Sequence, residues 1–131
     1  MSQLMLLKQA LEETGLKFKE KDRVFYSFWK IENEKSAILL IYLDDTEDWI
    51  KISSKIGNLG EISESKDVLK QLLRFNNTIL GPKVTIDKEN NLLIHYEMLM
   101  DSLSSENLKT ITLQIVNAYK KIWISTLNRK I

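Results

Sequence analysis

Residues 23 to 56 restrict the fold of this chain more than any other stretch, because they hold three β-favouring runs separated only by short polar turns. The first run, Arg23 to Ile31, contains Val24, Phe25, Tyr26, Ser27, Phe28 and Trp29. Such aromatic and β-branched side chains pack well on a pleated surface. The turn Glu32-Asn33-Glu34-Lys35 leads into Ala37 to Leu43, a run of isoleucine and leucine that is closed by Asp44-Asp45-Thr46-Glu47-Asp48. The third run, Trp49 to about Ile56, alternates strictly, with Trp49, Lys51, Ser53 and Lys55 on one side and Ile50, Ile52, Ser54 and Ile56 on the other. Three strands on short connections predict an antiparallel meander.

Helical spacing marks the remaining elements. Leu4, Leu7, Leu11 and their neighbour Met5 outline a short helix that ends at Gly15. After Gly57 and Gly60, the residues Val68, Leu69, Leu72, Leu73 and Phe75 outline a second helix, with Ser65 as its expected cap. Gly81-Pro82 interrupts the chain. Lys83 to Asp87 and Leu92 to Leu99 then flank the turn Lys88-Glu89-Asn90-Asn91 as a second hairpin. Ser104 caps a third helix, Leu103 and Leu108 are placed to staple its start, and Leu108, Ile111, Ile115, Ala118 and Ile122 form its stripe. Val116, Tyr119 and Trp123 widen that stripe, which makes Trp123 an expected core residue. The predicted class is α+β in the order α-β-β-β-α-β-β-α, an antiparallel sheet with three helices. A length of 131 residues without an internal repeat or long linker suits a single domain over 1–131.

This order, with a long terminal helix after the second hairpin, resembles the YbjN and type III secretion chaperone-like fold, and the stretch Val68 to Trp123 looks most like it. The resemblance implies a dimer whose grooves hold an extended client segment.

Composition narrows the chemistry. With 19 basic and 18 acidic residues the net charge is +1, so the molecule as a whole projects no strong field towards nucleic acid or acidic lipid. No cysteine is present, which removes disulfides, thiolate nucleophiles and zinc-thiolate cages and makes the cytoplasm the expected location. Lys8, Glu12 and Glu13 break any signal-peptide pattern at the start, and the run Ala37 to Leu43 is far short of the ~20 residues that span a bilayer. No membrane association is expected.

The lone histidine, His95, precedes Glu97 on the same strand face, a pair that suits acid-base chemistry, but no nucleophile accompanies it by pattern. The carboxylates Asp44, Asp45, Glu47 and Asp48 suit a hard cation, yet they lack the alternating ligands and central glycine of a calcium loop. An acidic turn is the simpler reading. Gly57-Asn58-Leu59-Gly60 lacks the lysine-serine pair of a phosphate-binding loop. No catalytic, cofactor-binding or metal-binding residue is therefore assigned, and the expectation is a protein without enzymatic activity.

One surface stands out. A trial register sets Phe28 opposite Leu39, Tyr26 opposite Ile41 and Leu43 opposite Trp49, which makes both faces of the first two strands apolar. A sheet apolar on both faces must be covered on both. Either the helices divide between the faces, or they gather on one and leave Tyr26, Phe28, Leu39, Ile41 and Trp49, rimmed by Lys30, Lys51 and Lys55, for another chain. We adopt the second arrangement, in which these eight residues bind a protein partner or client and the chain is a homodimer. A rival reading keeps the same aromatics and lysines for single-stranded nucleic acid, and an enzyme built on scattered carboxylates is a further alternative.

Overall fold

The structure, a computed structural model, describes residues 1–62 and 65–127. The first helix, α1 (Gln3–Glu13), opens at Ser2, whose hydroxyl accepts the Met5 amide at 3.1 Å. It closes at Thr14 and Gly15, and Gly15 takes the left-handed conformation (φ 76°) that a residue with a Cβ adopts only at a cost. Leu7, Ala10 and Leu11 are buried, whereas Met5, one step off the Leu4-Leu7-Leu11 stripe, points to solvent.

A short strand that the sequence reading did not foresee comes next. This strand, β1 (Lys19–Lys21), joins β2 (Val24–Glu32) through Asp22 and Arg23, both at positive φ. That is the geometry of a two-residue type I′ turn, here built without the glycine that usually signals it. The chain continues through β3 (Lys35–Leu43), β4 (Trp49–Asn58), a 3-10 turn (Leu59–Glu61), α2 (Ser65–Asn76), β5 (Lys83–Ile86), β6 (Asn91–Leu99), a second 3-10 turn (Met100–Ser102) and α3 (Ser105–Ile122), which runs into a π-helical turn (Trp123–Leu127). Ser65 is thus the first residue of α2 rather than its cap. The Ser104 hydroxyl does cap α3, accepting the Asn107 amide at 3.0 Å. The class is α+β, with six antiparallel strands in the order β1-β2-β3-β4-β6-β5.

The core lies on one face of this sheet. From α3 come Leu108, Ile115, Tyr119 and Ile122, which meet Phe25, Leu39, Ile41, Ile50, Ile52 and Ile94 from the strands. Leu7 and Leu11 of α1 and Val68 and Leu72 of α2 complete the same cluster. Leu73, placed on the α2 stripe by spacing, instead faces solvent. At the edge of the sheet, the Asn76 side chain bonds both backbone groups of Val84 (2.7 and 3.0 Å), which occupies polar groups that would otherwise leave β5 open to a further strand.

Candidate functional site: the open face of the sheet

Strand pairing decides which side chains reach the other face. Glu32 pairs with Lys35 beside the β2–β3 turn, but the register shifts at a bulge between Lys30 and Glu32, and beyond it Phe28 pairs with Ile38 and Tyr26 with Leu40. Leu43 pairs with Ile50 rather than Trp49. The trial register holds beside the β2–β3 turn but is one residue off beyond the bulge and between β3 and β4, and one residue exchanges the two faces of a strand. Leu39 and Ile41 therefore fall on the helix-covered face, each with 0% exposure, and cannot line an open surface as expected. Ile38, Leu40 and Tyr42 take their place beside Tyr26, Phe28 and Trp49.

Across the sheet, one row of this face reads Lys19, Tyr26, Leu40, Ser53, His95 and Lys83. Neighbouring pairs add Phe28 with Ile38, Trp49 with Leu99, Lys51 with Glu97 and Lys55 with Leu93. Among the described residues only Ser53, a small side chain, is buried on this face. Phe28 (58% exposed), Ile38 (46%), Leu99 (46%) and Trp49 (39%) are open to solvent. The helices have gathered on one side, and the opposite side is apolar in its middle with lysines around it.

The electrostatics of the face are simple. Lys19 Nζ sits 5.6 Å from the centre of the Phe28 ring, a weak cation–π contact at this exposure. Glu97 Oε1 lies 2.8 Å from His95 Nε2. Ser53 stands across from His95, but among the described residues no hydrogen bond links them, so the pair faces no activated nucleophile. Beside the face, a cleft of about 840 Å³ runs between α1 and the β1–β2 hairpin, lined by Leu11, Leu16, Phe18, Phe25 and Phe28 and crossed by a Lys8–Glu20 ion pair at 3.2 Å.

The acidic loop is a folded turn. Asp44 accepts the Thr46 hydroxyl and the Trp49 amide, and Glu47 pairs with Arg23 at 2.8 Å. Among the described residues no group of acidic or histidine side chains is arranged to hold a metal ion. Gly57 belongs to β4, and the Asn58 side chain caps the Gly60 amide, leaving that segment structural. Near the other end of the molecule Lys35 Nζ lies 4.2 Å from the Trp123 ring and 5.7 Å from that of Tyr119. Burial lowers the Lys35 pKa and pushes the Tyr119 phenol up to about 12. Trp123 is accordingly half-buried under a lysine rather than enclosed. Sequence reading missed Ile38, Leu40, Tyr42, Leu93 and Leu99 on the open face; the bulge that places the β3 residues there has no signature in the sequence.

The observed α+β order, with its antiparallel sheet and long terminal helix, is the order that resembles the secretion chaperones. This chain belongs to the Tir chaperone protein (CesT) family, whose profile matches residues 5–122. Its fold is similar to that of YbjN from E. coli (17% identity, TM-score 0.69, 97% of this chain and 93% of that one). It is also similar to a chain of the heterodimeric ExoU-SpcU complex from the type III secretion system of Pseudomonas aeruginosa (14%, 0.64, 87% and 92%). A chain from the complex of the Yersinia pestis type III secretion chaperone SycH with a YscM2 fragment matches as well (16%, 0.58, 92% and 99%). No curated protein sequence matches the chain. Among the described residues no helix is long and apolar enough to cross a membrane.

Proposed function

We propose that this chain is a non-catalytic, chaperone-like binding module of the cytoplasm, homodimeric, that holds a polypeptide partner on the open face of its sheet. The observation that carries the reading is the one-sided placement of the helices, which leaves Phe28, Ile38, Trp49 and Leu99 exposed on one surface. Contiguous apolar patches rimmed by charge mark interaction sites, and Trp and Tyr are favoured there. The four long strands alone present roughly 19 by 30 Å, and the short strands widen this towards the ~800 Å² that one side of an ordinary interface buries. Membership in the CesT family and the fold shared with chains of chaperone complexes support the same reading.

Binding would come from removing apolar area from water at ~25 cal/mol per Å² around Tyr26, Phe28 and Trp49, with Lys30, Lys51 and Lys55 setting orientation and on-rate. Homodimerisation draws on the exposed apolar surface that a lone chain would leave wet, which includes Leu73 and Leu80 on and after α2. Affinity capture with the wild type and with a Phe28→Ser/Trp49→Ser variant, each with and without nuclease, tests the proposal. A protein retained by the wild type, resistant to nuclease and lost with the variant is the expected result. Capture that disappears with nuclease would favour single-stranded nucleic acid instead. Turnover in a broad substrate screen would return the enzyme reading.

A further inference from the structure

The charges on the open face say more about its occupant than the apolar centre does. Lys19, Lys21, Lys30, Lys51 and Lys55 belong to this face by strand register, as does Lys83, whose ammonium is taken up by the Asn76 and Ile79 carbonyls. Among the described residues, the one carboxylate that the paired strands place on this face, Glu97, is already engaged by His95 at 2.8 Å. Among the described residues none of the first five lysines makes an ion pair, and Lys55 acts only through space on Asp87 of the adjacent turn. The net charge of the chain is +1, so this excess is a local feature set against a nearly neutral molecule.

A second copy is a poor match for such a surface. A two-fold contact pairs a patch with itself, so lysines would meet lysines around a dehydrated centre, and like charges brought together at an interface are unfavourable. Nucleic acid matches the charge but not the middle. Tyr26, Phe28 and Trp49 offer stacking planes, but Ile38, Leu40, Leu93 and Leu99 among them are aliphatic and offer bases none, and none of the five cations is an arginine. We infer that the open face takes an acidic polypeptide segment, apolar side chains against the centre of the sheet and Asp or Glu against the lysine border. The inference rests on the binding-module reading and adds the chemistry of the partner.

Fluorescence anisotropy with three labelled probes tests it: a short leucine peptide carrying glutamates, the same peptide with lysines for glutamates, and a single-stranded oligothymidine. At low salt the wild type should bind the glutamate peptide at least about tenfold more tightly than the lysine peptide, a preference that shrinks as salt screens it. Lys51→Glu/Lys55→Glu, checked for native fold by circular dichroism, should reverse the order, and Lys51→Gln/Lys55→Gln should erase it. Equal binding of both peptides, lost in Phe28→Ser/Trp49→Ser, would overturn the acidic partner while leaving the face a protein-binding surface. Tighter binding of oligothymidine than of either peptide would overturn it in favour of nucleic acid. A dimer that falls to monomer in Phe28→Ser/Trp49→Ser would give the face to a second copy. Failure of all three probes on the wild type would overturn the inference together with the reading beneath it.

Discussion

Trp49 and Trp123 are large aromatics of the same kind in different surroundings. Trp49 begins β4 on the open face opposite Leu99 and is 39% exposed, whereas Trp123 packs against the core beneath the Lys35 ammonium. Because Trp123 is half-buried, its loss should cost less than that of an enclosed tryptophan: Trp123→Ala is expected to lower stability by roughly 2–3 kcal/mol. Trp49→Ala should lower it by under about 1 kcal/mol while weakening partner capture. Denaturant midpoints at unchanged m-value, read beside a binding assay, check the pair. Equal destabilisation by both would show that Trp49 supports the fold. At Thr112 the side chain is fully enclosed on the inner side of α3 and its hydroxyl has no hydrogen-bond partner among the described residues. An unsatisfied buried hydroxyl is a cost that valine, of nearly the same shape, does not carry. Thr112→Val should therefore raise stability by about 1 kcal/mol, seen as a higher melting temperature.

Two loops organise the hairpins through a single carboxylate each. In the β3–β4 turn, partial desolvation pulls the Asp44 pKa upward, but hydrogen bonds from the Thr46 hydroxyl and from the amides of Trp49, Thr46 and Asp48 together outweigh it and hold it below its ordinary 3.8. In the β5–β6 turn, the side chain and then the backbone of Asn91 lower Asp87, helped by the Glu89 amide and the charge of Lys55 against slight desolvation. Both folded-state values lie below the unfolded one. The unfolded chain thus takes up these protons first, and the stabilisation is complete above about pH 5 and lost as pH falls through the unfolded and then the depressed folded values. Stability measured by urea melts should decline across that acid window. Asp44→Asn/Asp87→Asn should show a shallower decline there together with lower stability at neutral pH. An unchanged acid slope in the double variant would show that other carboxylates govern it.

At the largest scale, the helices and the sheet share one core while no element among the described residues covers the second sheet face, and exposed apolar residues also occur on α2 and in the loop after it. Such surface favours association. Light scattering at micromolar concentration is expected to give the mass of two chains. A monomer mass would mean that the exposed groups wait for a different protein. The mass of a dimer formed outside the open face should survive Lys51→Glu and Lys55→Glu, since neither lysine would lie in the contact.

Local physics settled much of this fold before any tertiary contact. The spacing of Leu7 and Leu11, of Val68 and Leu72, and of Leu108, Ile111, Ile115 and Ile122 is sufficient for three helices. The strict alternation from Trp49 to Ile56 is sufficient to place Trp49, Lys51 and Lys55 together on one side of a strand. The order of elements carried the resemblance to secretion chaperones, because order depends on the succession of periodicities and turn residues. Tertiary structure alone decided the composition of the open face. Both Ile38–Leu40 and Leu39–Ile41 are apolar pairs, so hydrophobicity does not choose between them, and the choice falls to a bulge between Lys30 and Glu32 that shifts the β2–β3 pairing by one residue. The short β1 escaped notice for a related reason: Lys19–Lys21 has no apolar side chain to announce a strand, and it exists because β2 offers it a partner edge.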